Sequence, residues 1–291
     1  MKYTEVLHQN LHMQGFTTDG ENMYWSFTDS LVKTKKTGLM LRQVPIPLGH
    51  LGDIVYYNGK IYGTVMGNSL RGLPFGIWTS FEIHVFDAST LALDRIMRLD
   101  DCYEMYKNKE HGFNGVDGIT YVPACNGKEA RLMVASALFT GEEYDSQMLL
   151  EYSLGGKLLD KHFVKTGNTV YGIQNLTRDH ETGNYWFSTY GGGFPKEEYK
   201  GKNFLFCVSP EFEVIESYNL CTPYGLEAIG GNKFYLSISG GENGNREGYA
   251  YEADIDFIRN TVIDGDHHRK WHIEKWFDKK IGLYFSKKDT F

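Results

Sequence analysis

Five titratable side chains stand near the starts of recurring, strand-like segments of the chain. They are His12, His50, Asp53, Asp117 and Glu227. Two carboxyl groups held on either side of a bond can act as acid and base, which is what cleavage of a glycosidic bond requires. We assign Asp117 and Glu227 to that pair and expect Asp53 to tune their pKa or to orient the substrate. His12 and His50 would shuttle protons or bind a metal ion.

The same side chains also suit a divalent metal ion. His12, His50 and Asp53 combine nitrogen and oxygen ligands, with Glu227 or Gln14 as a fourth, and mixed sets of this kind suit Mn²⁺ or Zn²⁺. An all-oxygen set would suit Ca²⁺. The sequence has no closely spaced ligand motif such as HExxH or CxxC. A metal site is therefore an alternative to a metal-free pair of carboxyl groups.

Neutral polar and aromatic residues near these positions are candidates for binding a substrate. Gln14 and Gln174 occupy the same place in two of the segments and would hydrogen-bond the substrate. The residues just outside the segment starts are predicted to do the same, namely Asn114, Tyr171 and Tyr224.

Several long inserts are predicted on the same face of the fold. They span 67–80, 100–114, 140–146, 191–203 and 240–248. Loops carried on a rigid scaffold commonly hold binding residues. We expect Trp78 to form an exposed platform for a sugar or another ring, with Arg71 beside it.

The elements that must position these residues form a five-fold repeat. Each repeat opens with a short polar cluster and a glycine followed by an apolar run, and the openings span 12–16, 50–54, 115–119, 172–176 and 225–229. A second β-rich run follows each opening and has a hydroxyl near its middle: Ser26, Thr64, Ser136, Ser188 and Ser237. We expect these hydroxyls to be structural. Two patterns in the same register, at a period of tens of residues, predict an all-β, five-bladed β-propeller.

Closure of the ring is predicted from the start of the sequence. Residues 3–7 resemble a lone outer strand that would pair with 249–255 and complete the last blade. We predict a single domain over 1–291, with blades starting near 12, 50, 115, 172 and 225 and a C-terminal extension over 256–291. Because innermost strands line the centre of a propeller, the openings should converge on one solvent-accessible cavity.

Two stretches resemble the propellers of the bacterial and plant-type glutaminyl cyclases. They are 13–24, which begins Met13-Gln14-Gly15-Phe16, and 53–62, which begins Asp53-Ile54-Val55-Tyr56. The resemblance implies five blades, and the glutamate-containing motif of that family is replaced here by His50-Leu51-Gly52-Asp53, so the activity is not carried over.

Two other propeller families resemble the predicted architecture of this chain. Furanosidase-type five-bladed propellers carry three acids on inner strands, and propeller-type uronate lyases have a histidine-rich funnel with more histidine motifs than this chain has.

Charge and composition exclude several classes of partner. A net charge of −7 and a pI near 5.8 argue against a nucleic-acid surface, which normally has a basic footprint. No apolar stretch is long enough to span a membrane. The start Met1-Lys2-Tyr3 lacks an apolar signal region, which favours a cytoplasmic protein, or a secreted one whose signal peptide has been removed. The four cysteines are predicted to be free thiols.

Two functions from different classes fit these features. The first is an enzyme acting on a carbohydrate or a similar small polar substrate in the central funnel, as a glycoside hydrolase or a lyase. The second is a non-catalytic propeller that binds a glycan or a protein partner through the same face.

Overall fold

Five antiparallel sheets surround a common axis as the blades of a β-propeller. The computed structural model describes residues 3–9, 11–46, 49–67, 77–125, 127–138, 146–166, 172–189, 205–218, 222–237, 241–242, 245–254 and 256. The first strand, β1 (Tyr3–Gln9), belongs to the last blade and is taken up with it below.

Blades 1 to 4 each contain four strands that run in chain order from the axis outward. Blade 1 is formed by β2 (Met13–Thr18), β3 (Asn22–Phe27), β4 (Ser30–Lys35) and β5 (Met40–Pro45). Blade 2 is formed by β6 (Gly49–Tyr57), β7 (Lys60–Gly67), β8 (Ser80–Asp87) and β9 (Leu93–Arg98). Blade 3 is formed by β10 (Phe113–Val122), β11 (Arg131–Leu138), β12 (Gln147–Ser153) and β13 (Leu158–Val164). Blade 4 is formed by β14 (Ile173–Arg178), β15 (Tyr185–Thr189), β16 (Leu205–Val208) and β17 (Val214–Tyr218).

Blade 5 combines the two ends of the described chain. Its strands are β18 (Leu226–Gly230), β19 (Lys233–Leu236), β20 (Gly241–Glu242) and β21 (Asn245–Asp254), with β1 outermost. β1 runs antiparallel to β21, and Tyr3 lies opposite Tyr251. The predicted closure of the ring is therefore confirmed, and the innermost strands of the five blades begin at Met13, Gly49, Phe113, Ile173 and Leu226. The proposed C-terminal extension lies outside the described residues from 257 onward, and the single domain over 1–291 stays a prediction.

Tight turns join the innermost strand of each blade to the next strand. Asn58 and Gly59 have φ values of 47° and 77° between β6 and β7, and Gly20 has a φ of 90° between β2 and β3. Asparagine and glycine tolerate this left-handed region, which explains why Asn-Gly and Asp-Gly pairs mark these turns in the sequence.

Hydrophobic clusters fill the spaces between neighbouring blades. One joins blades 2 and 3 through residues such as Ile83 and Val134, and another joins blades 5 and 1 through Trp25 and Tyr235. The insert between blades 2 and 3 contains the helix α1 (Asp100–Asn108), which buries Cys102 and Met105 against the first of these clusters. Part of the predicted 100–114 loop is thus a helix packed on the core.

The described cysteines are free thiols, as predicted: Cys102, Cys125 and Cys207. Cys221 lies outside the described residues. Within the part of the chain that the structure describes, no helix is long and apolar enough to cross a bilayer.

A β-bulge interrupts the pairing of the innermost strands at their polar positions. The register shifts between Met13 and Gly15 in β2, and between Ile173 and Asn175 in β14. Similar shifts occur in β6 and β10. A bulge re-aims side chains and increases the local twist. In this propeller the bulges lie beside the polar residues that meet at the axis.

Candidate active site

Asp53 spans the axis of the propeller. Its side chain starts on β6 in blade 2, and its Oδ2 atom accepts hydrogen bonds from the backbone N–H of Ile119 at 3.4 Å and of Leu176 at 3.1 Å. These amides belong to blades 3 and 4. Gly15 in blade 1 makes room for the carboxyl group, because a Cβ atom there would lie 2.1 Å from Asp53 Oδ1. Asp53 therefore ties three blades together beside the glycine of a fourth.

Asp117 is enclosed in the same layer of the axis. Its carboxyl group accepts hydrogen bonds from the Gln174 side chain and from the Asp53 backbone N–H. Gly52 provides the space, since a Cβ atom there would lie 2.4 Å from Asp117 Oδ1. Only 5% of Asp117 and 1% of Asp53 is exposed, so solvent does not reach either group freely.

Burial raises the pKa of both aspartates well above its ordinary value of 3.8. The mutual repulsion of the charged forms of Asp53, Asp117 and Glu227 raises the pKa of Asp53 further. One oxygen of each aspartate, Oδ1, has no hydrogen-bond partner among the described residues. Because an ionised carboxylate would leave charge unpaired in the interior, both groups favour the neutral form.

Glu227 lies nearer the end of the axis where β2 and β14 finish. Its Oε1 accepts a hydrogen bond from the Thr17 hydroxyl at 2.8 Å, and its Oε2 accepts one from the Thr177 hydroxyl at 3.3 Å. The two hydroxyls in turn accept the backbone N–H groups of Tyr56 and Ala228, each at 3.0 Å. Burial raises the pKa of Glu227 from 4.5 to about 8, although the two hydroxyl hydrogen bonds act in the other direction.

A cavity of about 220 Å³ opens beside Glu227. Four innermost strands line it: β6, β10 and β14 contribute residues from their C-terminal ends, and β18 contributes Glu227 and Ala228. The chain just beyond β14 adds His180. The lining residues are Val55, Tyr56, Tyr57, Thr120, Tyr121, Thr177, Arg178, His180, Glu227 and Ala228. The cavity is thus at the end of the axis where β6, β10 and β14 finish. The sequence predicted it at the other end, where the innermost strands begin.

The two histidines lie at the starts of their strands. The ring of His12 is in edge contact with Tyr224, with centroids 6.4 Å apart, and its Nε2 is 2.7 Å from Gln14 Nε2. His50 is buried, and burial together with the neighbouring His12 lowers its pKa to about 3. His50 is therefore a neutral imidazole at physiological pH.

The prediction of an exposed aromatic platform at Trp78 is wrong. Only 7% of Trp78 is exposed, since the side chain packs into the core between blades 2 and 3. Its ring centroid lies 6.1 Å from that of His50. Arg71, predicted to bind substrate from the same insert, lies outside the described residues, as does Tyr171.

The structure distributes the predicted site residues over two places. Glu227 lines the cavity, whereas Asp53, Asp117, Gln14 and Gln174 are buried within the axis. Tyr224 is also buried, and Asn114 is partly exposed at the start of β10.

The proposed metal ligands do not meet. In the described part of the chain, no three His, Cys, Asp or Glu side chains are grouped so as to hold a metal ion. The structure therefore does not bring His12, His50 and Asp53 together as a ligand set.

Several residues that line the cavity or hydrogen-bond Glu227 were not predicted from the sequence. Thr17, Thr120 and Thr177 occupy the same position in three repeats, one residue after the opening, and this recurrence was the available signal. Arg178 ends β14 in blade 4 and His180 lies just beyond that strand, and no pattern in the sequence marks either residue.

The recurring hydroxyls are structural, as expected. Ser26 donates to the Gly15 carbonyl, Ser136 to the Met148 carbonyl and Ser188 to Asn175 Oδ1. The hydroxyl of Thr64 donates to the Asp117 carbonyl at 2.5 Å and is fully buried. These bonds join strands within a blade or, at Thr64, between blades.

Thr64→Val is expected to destabilise the protein by about 1 to 2 kcal/mol, because it removes a buried donor and keeps the side-chain shape. Thr90→Val is the matched control, since its hydroxyl also donates a hydrogen bond, to Asp87 Oδ1, but in an exposed turn. We expect the control to lose less than about 0.5 kcal/mol. Urea unfolding measures both, and equal losses would contradict the buried role of Thr64.

Comparisons with known proteins give information on the fold of this chain. No protein-family model and no curated protein matches the sequence. Among solved structures, glutaminyl cyclase from Myxococcus xanthus is similar over 88% of this chain and 100% of its own, with a TM-score of 0.51 and 12% identity. A putative oxidoreductase (glucose dehydrogenase) from Thermus thermophilus is similar over 87% of this chain and 86% of its own, with a TM-score of 0.44 and 10% identity. At 12% identity the likeness to the glutaminyl cyclase concerns the fold alone, and with the five sheets it shows that the chain is a five-bladed β-propeller.

Proposed function

We propose that this chain is an enzyme that acts on a carbohydrate or a similar small polar substrate in the cavity beside Glu227. The observation that supports the proposal is a carboxyl group with a pKa of about 8 in the wall of that cavity. A general acid works best when its pKa lies near the working pH, because it is then protonated and still able to release the proton. Hydrolysis of a glycosidic bond needs such an acid at the leaving oxygen.

The hydroxyls around Glu227 suit a group that changes its charge. Because Thr17 and Thr177 each accept a backbone N–H, their own hydroxyl hydrogens are directed to the carboxyl oxygens. The Thr177 contact at 3.3 Å is longer than the Thr17 contact at 2.8 Å, so we assign the proton to Oε2. After proton transfer to the substrate, both hydroxyls would stabilise the carboxylate.

His180 is the best candidate for the second catalytic group. It lines the same cavity, and burial together with the Arg178 charge lowers its pKa, which favours the neutral imidazole that can accept a proton. Asp117, the partner expected from the sequence, is not among the lining residues. Two titratable groups whose pKa values are shifted in opposite directions are typical of an acid and base pair.

Glu227→Gln tests the proposal, because glutamine keeps the shape and removes the transferable proton. On a panel of chromogenic glycosides we expect its turnover to fall about 100-fold or more relative to the unmodified protein. Glu213→Gln is the control at an exposed glutamate. Circular dichroism should show the same fold for all three proteins, and equal turnover of Glu227→Gln and the unmodified protein would overturn the role of Glu227.

The non-catalytic alternative keeps one supporting observation. Most of the polar groups predicted for the funnel are buried, and hydrogen bonds link several of them, as in a structural core. A binding protein would turn over none of the glycosides and would lose affinity for a glycan gradually as lining residues are changed.

A further inference from the structure

The cavity beside Glu227 contains an arginine that has no acidic partner among the described residues. Arg178 lines the cavity and is partly buried, and its guanidinium forms no ion pair with a carboxylate of the described residues. The acidic residues that follow it in sequence are engaged elsewhere. Asp179 accepts hydrogen bonds from Glu181 N–H and the Thr182 hydroxyl, and Glu181 accepts one from Gly231 N–H. The positive charge of Arg178 is therefore available to a ligand.

The other described groups lining the cavity do not offset this charge. Burial keeps Glu227 in its neutral form at physiological pH, and His180 is neutral for the reason given above. The rings of Tyr57 and Tyr121 stack with centroids 3.5 Å apart, and a hydrogen bond joins the two hydroxyls. The lining therefore combines one positive charge with neutral donors, in a protein whose net charge is −7.

We propose that the cavity binds a monosaccharide-sized ligand that carries a carboxylate, with Arg178 pairing to that carboxylate. A guanidinium presents two parallel N–H donors that match the two oxygens of a carboxylate. A doubly charged phosphate would call for more than one cationic group, and the volume of about 220 Å³ admits only a small molecule. The inference rests on the proposed function in one respect, namely that this ligand is the substrate on which Glu227 acts.

Binding of two matched sugars tests the carboxylate preference. Methyl D-glucuronide and methyl D-glucoside differ by a carboxylate in place of a hydroxymethyl group, and calorimetry gives the affinity of each. We expect the unmodified protein to bind the glucuronide about 10- to 100-fold more tightly. Arg178→Gln should remove this ratio, while Arg178→Lys should retain part of it because the charge remains without the paired donors. Arg98→Gln, at an exposed arginine, should leave the ratio unchanged.

Each contrary result has a definite meaning. Equal affinity for the two sugars, or a ratio that survives Arg178→Gln, would overturn the proposal. Tighter binding of glucose 6-phosphate than of the glucuronide would show that the cavity prefers a phosphate to a carboxylate, and this would overturn the proposal. Failure of the proposed function is seen separately, because Glu227→Gln would then leave turnover unchanged whatever the Arg178 variants do to binding.

Discussion

Gly15→Ala is expected to destabilise the propeller by about 3 kcal/mol or more, although it adds a single methyl group. That methyl would lie 2.1 Å from Asp53 Oδ1 and 3.1 Å from Asn175 Nδ2. Asp53 cannot move away without losing the two backbone N–H groups that bind its other oxygen. The added methyl therefore displaces a buried carboxyl group from its hydrogen bonds. The free energy of unfolding, from urea titration, measures the effect.

Two further variants show whether the clash with Asp53 is the cause. Gly155→Ala is the control, because the nearest atom to the added methyl is Ser153 Oγ at 3.6 Å, and we expect it to change stability by less than about 0.5 kcal/mol. In an Asp53→Ala background, Gly15→Ala should cost clearly less than it does alone. Additive losses in the double variant would show that Asp53 is not the obstacle.

The stability of the protein should fall as the pH rises, and Glu227→Gln should remove part of that fall. The pKa of Glu227 is about 8 in the folded protein and 4.5 as its ordinary value. Between these values the folded state binds more protons than the unfolded state, so the contribution of Glu227 is fully present below about pH 4.5 and lost as the pH rises to about 8. Across this window, we expect the free energy of unfolding of the glutamine variant to rise by about 2 to 4 kcal/mol relative to that of the unmodified protein.

Urea unfolding of both proteins from about pH 5 to about pH 9 measures this difference. The pKa values of Asp53 and Asp117 are raised in the same direction, but both residues are present in both proteins, so their effect cancels in the comparison. Parallel stability curves for the two proteins would contradict the raised pKa of Glu227.

The blades could be predicted from the sequence because each depends on local patterns. An apolar run, a turn such as Asn58-Gly59 and a second run identify a pair of strands wherever they recur. The pairing of β1 with β21 was also predictable, because a single strand was left over before the first repeat. These features follow from short-range sequence and from counting repeats.

How deeply each polar residue is buried could not be predicted from such local patterns. Asp53 and Glu227 stand at nearly the same place in their repeats, yet one is sealed in the axis and the other lines a cavity. The difference arises from residues on other blades. Gly15 leaves space for Asp53, and Thr17 and Thr177 hold Glu227 at the far end. Trp78 was misjudged for a similar reason, since the core that buries it comes from blade 3 as well as blade 2.

The strand β1 imposes an order on the biosynthesis of the protein. It leaves the ribosome before the other strands of the propeller, but its partner at residues 246 to 251 is made only after blades 1 to 4 have been translated. At about 5 to 20 residues per second, β1 waits roughly 12 to 50 s for that partner. Blades 1 to 4 can form during this time from consecutive residues, whereas blade 5 cannot. Closure of the ring is therefore a late event in translation, and a nascent chain interrupted before β21 leaves β1 without its partner strand.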